Sequence, residues 1–135
     1  MRGLAALCAC LLAGPALAQM PVPPAAPVAA PVTLPAWHDA FRRAVAACWN
    51  ITALSPEARS AQVIVAARFD AQAMPEPESI TLVTVEGGGT AAGREVYETA
   101  RRALLRCAGD GYPLPPEARA DWQRMELTFD PAVLR

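Results

Sequence analysis

The residues of this chain that could do chemistry are few: four cysteines, Cys8, Cys10, Cys48 and Cys107, and a single histidine, His38, beside Asp39. Thiols can pair as a disulfide, hold a metal or act as nucleophiles, and an imidazole can serve as a general base when a nucleophile stands within reach. No serine or cysteine has a spacing that would make it the partner of His38, which reads as a surface residue near a helix start. Cys48, Cys107 and His38 fall short of the four ligands of a structural zinc. The carboxylate pairs Glu76 with Glu78 and Glu95 with Glu98 read as solvated surface. Gly87-Gly88-Gly89 precedes a helical stretch but lacks the Lys-Ser/Thr of a phosphate loop, so it reads as a strand-to-helix turn. These residues predict no catalytic site, no metal, no cofactor and no small-molecule substrate.

The fate of the cysteines depends on the first eighteen residues. Met1 and Arg2 give a positive start, residues 3–12 an apolar run, and Ala16-Leu17-Ala18 a small-x-small cleavage site, which together read as a secretory signal peptide. The rival, an uncleaved membrane anchor, is short of the roughly 20 apolar residues a spanning helix needs, and Gly14-Pro15 interrupts it. Cleavage removes Cys8 and Cys10. The remaining pair, Cys48 and Cys107, then predicts a disulfide in an oxidising compartment. The loop so closed, of about 60 residues, gives roughly 4 kcal/mol in the chain-entropy account. Two buried free thiols are the alternative.

Residues 19–35 are rich in Pro and Ala, with Pro21, Pro23, Pro24, Pro27 and Pro31 too frequent for helix or sheet. They read as a tether in extended polyproline conformation, leaving residues 36–135 as one small domain. The formal charge is -1 from 12 basic and 13 acidic residues, every base an arginine. Nothing in this balance suggests a nucleic-acid partner.

The elements that must position these residues follow from periodicity. Trp37, Phe41, Val45 and Cys48 share one face of a helix expected from Pro35 to about Trp49, capped by Thr33 or Leu34, with Asp39, Arg42 and Arg43 paired on its exposed side. Ser55-Pro56-Glu57 begins a short helical turn with Ser55 as its cap. Alternation over residues 62–69 turns Val63, Val65, Ala67 and Phe69 to one face of a strand, and residues 80–86 read as its antiparallel return. Thr90 is expected to cap a helix running to about Cys107, with Ala92, Val96, Ala100, Ala103 and Leu104 inward and Glu98 paired to Arg102 outward. Pro113, Pro115 and Pro116 keep the next stretch irregular. A last strand follows, with Met125, Leu127 and Phe129 inward and Arg124, Glu126 and Thr128 outward.

The fold class expected is α+β: a three-stranded antiparallel sheet covered on one face by two helices, in the order helix-strand-strand-helix-strand, with one disulfide joining the C-terminal ends of the helices. Three strands cannot close, so an edge must carry unpaired N–H and C=O groups. The strand of Arg124, Met125, Glu126, Leu127, Thr128 and Phe129 is the candidate. Such an edge either receives a partner's strand or stays solvated behind its own charges.

At this point the chain resembles a family, the C-terminal domain of TolA, akin in structure to that of TonB and particularly in its alphaproteobacterial versions. The likeness covers about residues 37–131. It rests on Phe41-Arg42-Arg43-Ala44-Val45 with Cys48-Trp49-Asn50, on Ser79-Ile80, on Ala100-Arg101-Arg102-Ala103 to Cys107, and on Met125-Glu126-Leu127-Thr128-Phe129-Asp130-Pro131. The resemblance implies a periplasmic, non-enzymatic domain that binds cell-envelope proteins, Tol-Pal-like or outer-membrane components, partly by accepting a strand at Arg124 to Phe129. Family members carry an uncleaved N-terminal helix coupled to a motor and a long periplasmic arm. A cleavable leader and a short tether stand here instead, which points to a soluble adaptor; the alternatives are a membrane-anchored energy transducer and a small secreted enzyme using His38. The loop Asp70-Ala71-Gln72-Ala73 lacks the usual turn glycine, and Gly93 weakens the second helix by up to about 1 kcal/mol relative to Ala.

Overall fold

A computed structural model of the chain describes residue 14, residues 18–24 and residues 33–133. Nearly all of the expected signal peptide and much of the tether therefore lie outside the described residues. The secondary structure of the described residues belongs to the unit Thr33–Arg135. Its elements in order are α1 (Ala36–Ala46), β1 (Gln62–Arg68), β2 (Thr81–Glu86), α2 (Gly89–Arg106), α3 (Arg119–Trp122) and β3 (Arg124–Phe129), with 3₁₀ turns between them. The fold is α+β with one antiparallel sheet of order β2-β1-β3 and one disulfide, Cys48–Cys107.

The sheet follows from alternation. Val63 and Val65 of β1 are wholly buried and Ala67 nearly so, while Ile64 and Ala66 are half-buried and Arg68 is exposed on the opposite face. The register sets Phe129, Leu127 and Met125 of β3 beside Val63, Val65 and Ala67. On the other side Val85 and Leu82 of β2 flank Val63 and Val65. This apolar face receives both long helices. From α1 come Phe41 and Val45; from α2 come Ala92, Val96, Ala100, Ala103 and Leu104. Phe41 also meets Tyr112 and Phe69 edge-on, at ring separations of 4.9 and 5.7 Å. Burial pushes the Tyr112 hydroxyl pKa up, and its proton goes to the Leu104 carbonyl at 2.6 Å.

Several local expectations are corrected. Helix α1 starts after Pro35 with no side-chain cap and ends at Ala46; Cys48 and Trp49 follow in tightened turns, their N–H groups donating to Val45 and Ala46 carbonyls. Helix α2 is entered through Gly88 at φ 63, and Thr90 lies inside it. The salt bridge among the described residues is Arg68–Glu76, so Asp39 and Glu98 do not hold the arginines expected beside them. A third helix, α3, lies between the prolines and β3 and buries Trp122, whose indole N–H donates to the Pro115 carbonyl at 2.7 Å.

Two departures have clear physical causes. Ala73 adopts φ 59, the left-handed conformation a turn glycine would take, because Asp70 closes the loop around it. The Asp70 carboxylate accepts from the N–H groups of Gln72 and Met74, and its carbonyl accepts from that of Ala73. Gly93 is where α2 comes closest to β2: a Cβ there would collide with both methyls of Val85. The helix gives up propensity at this position for close packing on the sheet.

Candidate functional site

Both outer strands are edges, and they differ. Between β1 and β2 the register slips: Ile64 faces Thr84 and Val65 faces Leu82, which leaves Val83 without a partner in a bulge, its side chain about half exposed. A bulge bends and twists an edge and breaks the ladder a further strand would need. β3, by contrast, pairs with β1 through six successive residues without a shift, and its outer side is unoccupied. The six residues expected at the docking edge, Arg124 to Phe129, are the six that form β3.

Beside β3 runs a groove of about 570 Å³. One wall is α1, with His38, Asp39, Arg42, Arg43 and Ala46; the other is Glu126 to Phe129, continued by Asp130 and Val133. Buried Phe41, Val45 and Trp49 line its depth. Arg42 and Arg43 are exposed and make no ion pair among the described residues, so the rim carries two available cations. Asp39, Glu126 and Asp130 are the acidic residues of the groove lining.

The geometry of the groove is held from below. The Trp49 ring meets Phe129 edge-on at 5.1 Å, and its indole N–H donates to the Thr99 hydroxyl at 3.1 Å. Thr99 in turn donates to the Val96 carbonyl of its own helix at 2.8 Å, which leaves its oxygen free to accept. Trp49 thus joins the end of α1, the middle of α2 and the end of β3. Next to it, Cys48 is bonded to Cys107, the residue that ends α2, with Cα atoms 5.7 Å apart. Both cysteines are half-buried against the core.

Chemically the site can do two things. A regular edge offers alternating backbone donors and acceptors to an extended chain. Side chains of such a chain would alternate between the groove and the open face of the sheet, where Glu126 and Thr128 stand. His38 lines the groove and is half-buried rather than a surface residue, with its Nδ1 shut off from solvent and lacking a hydrogen-bond partner. Among the described residues no cluster of His, Cys, Asp and Glu could hold a metal ion, and no helix is long and apolar enough to cross a membrane.

The edge strand was readable from alternation, but the contribution of α1 to the site was not. Asp39, Arg42 and Arg43 look like an ordinary solvated helix face. The one available signal was the clustering of two arginines on the helix that ends at the staple. Glu95, read as surface, is instead a structural ligand: its two carboxylate oxygens accept from the Ser55 N–H and hydroxyl, both at 2.7 Å. Compared with family models, with curated proteins and with solved structures, the chain has no match.

Proposed function

We propose that this chain is a periplasmic, non-enzymatic protein-binding domain of the TolA/TonB C-terminal type, an adaptor that accepts an extended strand of a cell-envelope protein along β3. The observation that carries this reading is the asymmetry of the sheet: a bulged edge at β2 and an unshifted, unoccupied edge at β3 with a groove beside it. The partner strand presents apolar side chains to Phe41, Val45 and Leu127. It carries an acidic group within reach of Arg42 and Arg43, whose charges have no internal partner among the described residues.

The test is photocrosslinking in whole cells from position 128, with position 83 on the opposite edge as control. Capture of an envelope protein from Thr128 and not from Val83 supports the reading. Equal capture from both, or capture from Val83 alone, defeats it. Recovery of the chain in the membrane fraction with Met1 intact would favour the anchored transducer instead.

A second reading, a small secreted enzyme, draws on the unpartnered Nδ1 of His38 in the groove. It requires an activity that His38→Ala abolishes while the fold is retained.

A further inference from the structure

A separate concavity of about 440 Å³ lies where β3 begins, and it shares no residue with the α1–β3 groove. Three arginines line it from three elements: Arg68 of β1, Arg119 of α3 and Arg124 of β3, with Gln123 beside them. The one carboxylate in its lining, Glu76, is taken by Arg68, whose Nε donates to Oε2 at 2.9 Å and whose Nη2 forms an ion pair with the same oxygen at 2.9 Å. Arg119 and Arg124 make no ion pair among the described residues. The concavity therefore holds two positive charges in excess, on a chain whose formal charge is -1.

Arg68 and Arg124 are also direct partners in the β1–β3 register. Like charges set opposite each other on neighbouring strands repel, and both residues are exposed on the sheet face away from α1 and α2, so core packing does not require arginine at either position. An oxyanion between them turns that repulsion into shared, charge-assisted hydrogen bonds. The guanidinium groups of Arg119 and Arg124, with the Arg68 Nη1 that Glu76 leaves over, come from three elements and suit tetrahedral oxygens better than a planar carboxylate, and the two excess charges match a phosphate dianion. We propose that the Arg68–Arg119–Arg124 pocket binds an oxyanion of the phosphomonoester class. The site shares Arg124 with the docking edge but no residue with the groove beside it.

The experiment titrates inorganic phosphate into the full mature chain at low ionic strength, with chloride at matched ionic strength as control. Thermal midpoint and backbone NMR shifts are followed. The expected result is a saturable rise in midpoint, with shifts centred on Arg68, Arg119 and Arg124. The double variant R119Q/R124Q weakens phosphate binding by at least about tenfold, the loss of one charge-assisted hydrogen bond. Its phosphate-free midpoint is unchanged or higher, because a repulsion has gone. Absence of a saturable response, shifts centred elsewhere, or an equal response in R119Q/R124Q overturns the proposal. Vesicles containing phosphatidic acid separate the sources. Cosedimentation of the unsubstituted chain but not R119Q/R124Q identifies a lipid phosphomonoester; a phosphate response without cosedimentation identifies a soluble one.

Discussion

One half of this domain is sealed and the other is open. On the β2 side, α2 closes down on the sheet: Gly93 lets its backbone approach Val85, and the Tyr97 hydroxyl donates to the Ile80 carbonyl at 2.8 Å. Glu95 of α2 holds Ser55, in the loop before β1. On the β3 side, α1 stands off, and the space between them is the groove. The difference comes from the residues each helix presents. α2 offers small ones, Ala92, Gly93, Ala100 and Ala103, which permit close approach; α1 offers Phe41 and, at its end, Trp49, which hold it away. The bulge falls on the sealed side, where the edge is spoiled for pairing, and the regular ladder on the open side, where pairing is left available.

The largest test of this contrast is removal of the disulfide. Closing 59 residues of separation stabilises the domain by roughly 4 kcal/mol in the chain-entropy account. Reduction, or the pair C48A and C107A, is expected to lower stability by about that amount in denaturant titrations. The loss should not be uniform. Because Trp49 follows Cys48 and packs on Phe129, amide protection in Arg124–Phe129 should fall more than in Thr81–Glu86, which α2 holds independently. Equal loss of protection in both strands would show that the staple serves the whole sheet and not the open half.

The parts of the fold visible in sequence are those governed by local period. Alternation at residues 62–69 and 124–129 and the apolar stripe of α2 mark the sheet and its cover, and the pairing of Cys48 with Cys107 follows from the expectation that residues 1–18 are a leader. What escaped depends on contacts between distant residues. Glu95 binds Ser55 forty positions away, and nothing about either residue announces the other. The bulge at Val83 lies in a run, Thr81-Leu82-Val83-Thr84-Val85, whose mixed β-branched residues give no phase. Ala73 is left-handed only because Asp70 wraps the turn. Helix α3 is a different matter: Pro116 stands at the start of the 3₁₀ turn that leads into it, a start signal that the neighbouring prolines obscure.

A smaller effect separates propensity from packing on the sealed side. By helix propensity alone, Gly93→Ala should stabilise by up to about 1 kcal/mol. In the structure the new methyl meets Val85, whose branched side chain has little rotamer freedom. Overpacking of this kind costs about 1–3 kcal/mol, so the substitution is expected to destabilise in chemical denaturation. Combining it with Val85→Ala should recover part of the loss, as directly coupled neighbours do. A stabilised single variant would mean that α2 does not seal β2 through this contact.

The smallest effect is a pH dependence, and it also belongs to the sealed half. The Glu95 carboxyl is held below its ordinary value of 4.5, first by the backbone N–H of Ser55 and then by its hydroxyl, with desolvation opposing them weakly. A carboxylate whose folded pKa is depressed adds stability that is complete above its unfolded value and disappears as pH falls through the folded one. The contribution is therefore present at neutral pH and lost in acid below 4.5. Glu95→Gln keeps an acceptor but removes the charge, so the gap between the native chain and this variant should be widest near neutrality and close in acid. Because Glu95 is only half-buried and solvent screens it, the gap is small and calls for paired denaturation curves across that range. A gap that stays constant with pH would mean the residue acts by shape alone, and the tie between α2 and Ser55 would then owe nothing to its ionised form.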